Sequence, residues 1–158
     1  MITFKTLQEN TDIHTLIKET FDADLPISGD WGYSKKSSSI IDALPEGMTL
    51  PQLEHMITTI RAHLEMNITQ EETNRYGGIN ANEKSRELIN NNNQTYDKVT
   101  YEITAIKEKL YHAFIKEYKA GYENGSLDLN THFKRRKEAT LTIESVHYFE
   151  VSSIKNKG

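Results

Sequence analysis

The chain has 158 residues, a net charge of -4 and a sequence pI near 5.9. Its 36% hydrophobic and 27% charged residues suit one folded domain, and 3 Pro with 8 Gly exclude collagen-like and proline-rich classes. The absence of cysteine excludes a disulfide framework, a cysteine nucleophile and a thiolate metal site.

In chain order, Ile2-Thr3-Phe4-Lys5-Thr6 alternates apolar and polar residues, which predicts a short strand. Thr11 or Asp12 caps a helix over 12–21, whose Ile13, Leu16, Ile17 and Phe21 recur at helical spacing. Residues 22–48 read as strand and turn, punctuated by Gly29-Asp30, Gly32 and Pro45-Glu46-Gly47. Thr49-Leu50-Pro51-Gln52 is a capping-box pattern, with a hydroxyl at the cap, Pro in the first turn and Gln three residues on. It opens a helix over 50–65 with a stripe of Leu53, Met56, Ile57, Ile60 and Leu64.

Residues 67–95 carry eight Asn and few apolar anchors, and read as a long polar loop with one short helix near 83–90. Thr95 then caps a helix over 96–123, with Val99, Ile103, Ile106, Leu110 and Phe114 as one stripe and Gly125 as its stop. From 138 to 151 the period changes to two, with Leu141, Ile143, Ser145, His147, Phe149 and Val151 on one face of a long strand. The expected fold class is therefore α+β: a mostly antiparallel sheet with two main amphipathic helices packed on one face, and the first and last strands paired.

Phosphate-binding loops, dinucleotide fingerprints, nucleophile elbows and paired zinc histidines are missing from the sequence. Asp22-Ala23-Asp24 has hard-cation chemistry, but solvated carboxylates explain it, and neither a metal nor a cofactor is expected. His147, with Ser145 two residues back on the same strand face, is a core histidine or the base of a hydrolase. Gly29-Asp30-Trp31-Gly32-Tyr33-Ser34 holds the one Trp between two glycines, so Trp31 and Tyr33 form either a binding platform or a turn that closes the core. Lys134, Arg135, Arg136 and Lys137, preceded by Phe133, make the one charge run, expected on a loop that displays it to phosphates or to an acidic protein.

No apolar run approaches the ~18 residues of a membrane span, and the N-terminus turns polar too soon for a signal peptide, so a cytoplasmic protein without membrane contact is expected. The leading functional expectation is a non-enzymatic binding or regulatory module acting through protein contacts, with a homodimer or another protein as partner. Nucleic-acid binding through 134–137 is the first alternative, and a hydrolase with a His/carboxylate site the second.

Overall fold

The computed structural model describes residues 4, 6–7, 12–125 and 128–155. Helix α1 (Ile13–Phe21) buries Ile13 and Ile17 and ends where Asp22 turns left-handed. Two three-residue strands follow, β1 (Ile27–Gly29) and β2 (Ser39–Ile41). Helix α2 (Leu50–His63) opens on the expected capping box: the Thr49 hydroxyl accepts from the Gln52 amide (3.3 Å) and the Gln52 side chain accepts from the Thr49 amide (2.9 Å). One wide turn over Leu64–Ile68 continues it and buries Leu64 and Met66. Strands β3 (Tyr76–Asn91) and β4 (Gln94–Lys107) come next, then helices α3 (Glu108–Asn124) and α4 (Leu129–Ala139). Strand β5 (Leu141–Glu150) and the single turn α5 (Ser152–Lys155) complete the described elements.

These elements form an α+β fold around a five-stranded sheet of order β1-β2-β5-β4-β3. All neighbours are antiparallel except β2 and β5, which run parallel with Ser39 opposite Phe149. The core face of the sheet alternates as a half-buried strand must: Val99, Tyr101, Ile103 and Ala105 of β4 point into it. Their partners across the ladder on β5 are His147, Ser145, Ile143 and Leu141. Ile13 and Ile17 of α1 and Leu53 and Ile57 of α2 cover that face.

Three expectations are corrected. The polar segment 67–95 is not a loop but, from Tyr76, the outer strand of a long hairpin. Asn92 and Asn93 both have positive φ (51° and 69°) and form its two-residue turn, a conformation that Asn tolerates better than other non-glycine residues. The helix expected over 96–123 is two elements, because Val99 and Ile103 stand four apart, an even spacing that fits a strand as well as a helix. Its second half is helical and stops at Gly125 (φ 68°) as expected. Finally, Phe4, Thr6 and Leu7 are not in a strand, and the rest of the 2–6 prediction lies outside the described residues; β5 pairs with β2 and β4 instead.

Candidate functional site

The core-facing side of α2 carries two adjacent stripes. Leu53, Ile57, Ile60 and Leu64 form the apolar one; Glu54, Thr58, Arg61 and Glu65, each one residue further on, form a polar one. One residue turns about 100° around a helix, so α2 presents a wide arc of which one edge is polar. Glu54, Thr58 and Arg61 are buried all the same. A polar group buried without a partner costs roughly 1–3 kcal/mol, so each must be met by the sheet or by the turn before it.

Thr58 is met by His147, whose side chain is sealed from solvent. The imidazole Nδ1 lies 3.0 Å from Thr58 Oγ1 and its Nε2 lies 2.8 Å from Ser39 Oγ. Ser39 spends its one proton on the Asp30 carbonyl (2.8 Å), so its oxygen accepts from Nε2–H and Nδ1 accepts from Thr58. The ring also stacks on Phe149, centroids 4.0 Å apart. Burial and the nearby Arg61 charge push the His147 pKa well below the ordinary value, so the ring is neutral. Among the described residues no carboxylate hydrogen-bonds it.

Arg61 is buried too, and its fork donates to three oxygens: the Trp31 carbonyl (3.0 Å), Ser145 Oγ (2.7 Å) and the Val146 carbonyl (2.9 Å). Ser145, considered above beside His147, is thereby an acceptor for a cation. The guanidinium lies over the Tyr33 ring, 4.6 Å from its centroid, and 3.8 Å from Glu65. Tyr33 donates its hydroxyl proton to Glu65 (2.8 Å) and accepts from the Leu7 amide (3.0 Å). Trp31 is 1% exposed, so it fills the core and is not displayed to a partner. The aromatic turn and the polar edge of α2 are thus one internal network, and Tyr33 alone of the aromatic pair stays partly accessible.

Glu54 is met by the hairpin. Arg86 of β3 reaches it at 3.1 Å and approaches Asp97 of β4 at 3.6 Å, while also chelating Glu83. Glu54 and Asp97 are 0% and 3% exposed. Burial first, then the hydrogen bond to and charge of Asp97, push the Glu54 pKa up to about 9. Asp24, from the carboxylate pair after α1, bonds His14 at 2.7 Å, and Asp22 caps the helix.

The basic run lies on α4, not on a loop. Asp128 caps that helix by accepting from the Thr131 amide (3.3 Å), and buried His132 inserts against Phe114 and Tyr118 of α3. Arg135 pairs with Glu117 of α3. Lys134 and Lys137 are exposed and Arg136 is half-buried, and among the described residues none of the three forms an ion pair. Leu129, Phe133 and Lys137 follow at i, i+4 and i+8 along one face, where Leu129 is 44% and Phe133 51% exposed. The run and the aromatic turn therefore do not share a surface: Trp31 and Tyr33 pack with α2 and β5, and the run belongs to the α3–α4 hairpin.

A shallow groove of about 750 Å³ along α2 is lined by Met48, Pro51, Met56 and Ile60. Its imidazole, His55, is committed to the Ala81 carbonyl at 2.6 Å. Among the described residues no helix is long and apolar enough to cross a membrane. Comparison with protein-family models, with curated proteins and with solved structures returns no match to this chain.

Proposed function

We propose that this chain is a non-enzymatic binding module that acts through protein contacts, with the outer face of α4 as its contact surface and an acidic protein segment as its partner. The imidazole and guanidinium that chemistry would use, His147 and Arg61, are consumed by internal hydrogen bonds. The single observation that carries the reading is Phe133, half out in water beside Lys134 and Lys137, which form no ion pair among the described residues. An exposed aromatic flanked by unspent cations is the make-up of a protein contact: the ring supplies buried area and the lysines orient an acidic partner. Residues 108–139 hold seven Lys/Arg against five Asp/Glu, and the rest of the chain twelve against eighteen. A second copy meeting this face symmetrically brings Lys134 and Lys137 against themselves, which disfavours that form of homodimer.

Nucleic acid is the second reading, on the same face, because cations beside an aromatic also suit phosphate and base. A photo-cross-linker placed at position 133, with position 87 as control, separates the readings in cells that make the protein. Adducts at 133 with proteins bearing acidic segments, lost in the K134E/K137E variant, support the proposal. Equal adducts at both positions, or adducts indifferent to the charge reversal, overturn it; RNA or DNA adducts with a steep salt dependence establish the second reading instead.

A further inference from the structure

The acid Glu54 and the acid Asp97 lie in the same dry region, and three carboxylates, counting Glu83, face one guanidinium. Arg86 satisfies one oxygen of Glu54, at 3.1 Å. The other oxygen, Oε2, and Oδ2 of Asp97 are both buried and, among the described residues, receive no hydrogen bond from any N–H or hydroxyl donor. Two carboxylates side by side in such a place cannot both stay ionised without a large cost. One proton between them removes a charge and satisfies both orphaned oxygens at once.

We propose that Glu54 is held as a neutral acid whose O–H donates from Oε2 to Oδ2 of Asp97, and that this shared proton, closed over by Arg86, latches the β3–β4 hairpin to α2. The groups facing the pair are Arg86 and Glu83 on β3, Asp97 and Tyr101 on β4, and, next to Glu83, His55 on α2. Strand β5 brings Phe149, which does not titrate, opposite Asp97. The raised Glu54 pKa, about 9, agrees with the geometry. The latch sits where it matters most, because β3 beyond Ala81 is otherwise largely exposed and, among the described residues, has β4 as its one strand neighbour.

The sign of the pH effect follows. An ordinary Glu is ionised in the unfolded chain above about pH 4.3, while the folded chain keeps this proton until about pH 9. Between those values folding takes up one proton, and its contribution to the folding equilibrium constant falls about tenfold per pH unit. Replacing Glu54 by Gln supplies an N–H in place of the acid proton and abolishes that dependence.

Two measurements decide it: the carboxyl ¹³C titration of Glu54 in the wild-type protein, and urea unfolding of wild type and Glu54→Gln from pH 5 to 9. The expected result is a Glu54 carboxyl that is still protonated at pH 7. With it, the ratio of wild-type to Glu54→Gln folding constants should fall about tenfold per unit. A Glu54 titration midpoint below pH 6, or a ratio independent of pH, overturns the latch. If Glu54→Gln does not fold, the wild-type titration alone decides.

Discussion

The ring of His147 occupies the space where a side chain on Gly32 would begin: a Cβ there would lie 2.1 Å from His147 Cδ2 and 2.3 Å from Nε2. Gly32 also has φ of 81°, and its carbonyl accepts from the Tyr148 amide at 2.8 Å. The aromatic turn is thus keyed to β5 by a missing side chain as much as by hydrogen bonds.

Gly32→Ala should therefore cost both backbone strain and overpacking, about 2–5 kcal/mol together. Gly47 has a similar φ of 79° with nothing within 4 Å of its Cβ position, so Gly47→Ala should cost only about 1 kcal/mol. Urea denaturation of the two variants checks this, and equal losses would show that the His147 contact does not matter.

His147 gives the opposite pH dependence from Glu54. Its folded pKa is depressed, so the folded chain stays neutral there while an unfolded histidine takes a proton below about pH 6.5. Its contribution to stability is present above pH 6.5 and is lost as pH falls below that value, by about 1.4 kcal/mol per unit. Comparing wild type with His147→Gln by thermal unfolding between pH 5 and 8 should show the difference shrinking toward acid. A constant difference would mean that the folded ring titrates like an unfolded one and is open to solvent, and a difference that grows toward acid would mean that the folded ring is charged.

Arg61 should be among the least replaceable residues. Its removal leaves the Trp31 and Val146 carbonyls without this donor and takes the cation away from Glu65. Arg61→Ala should cost about 3–5 kcal/mol, and Arg61→Lys most of that, because an ammonium cannot reproduce a planar fork. Differential scanning calorimetry of both variants tests the ranking; a Lys variant as stable as wild type would refute it.

The α4 face should behave in the reverse way. Phe133→Ser, Lys134→Glu and Lys137→Glu alter exposed side chains and should each change stability by no more than about 0.5 kcal/mol. His132→Ala, directly beneath, removes a buried ring from the Phe114 and Tyr118 contacts and should cost about 2–4 kcal/mol. Circular-dichroism melts of this set separate the surface from its support, and a destabilised Phe133→Ser would place that ring in the core.

Parts of this structure were written in local patterns and parts were not. Thr49 to Gln52 announces α2 because capping is a contact between neighbours in sequence, and Leu141 to Phe149 announces β5 because a two-residue period has no helical reading. Val99 and Ile103 misled because their spacing serves both. Asn90 to Asn93 looked like polar filler, yet two of those residues are the hairpin turn, and the strand before it is exposed and so lacks the apolar signal that marks a strand. Of the candidate site residues, Trp31 and the 134–137 run stood out by composition, but whether each is buried or displayed depends on contacts with other elements, Trp31 with α2 thirty residues on and the run with α3. The stripe Glu54, Thr58, Arg61 and Glu65 has a helical spacing but polar side chains, and nothing local says that the sheet buries it.

The parallel pairing of β2 with β5 has a temporal meaning. Ser39 and His147, 108 residues apart in the chain, meet at 2.8 Å, and among the described residues β5 alone joins β1 and β2 to the rest of the sheet. During synthesis the first two strands must wait, unpaired to anything larger, until residues 141–150 have left the ribosome. Closure of the sheet is then a late event dominated by distant contacts, the kind that sets a slow folding rate.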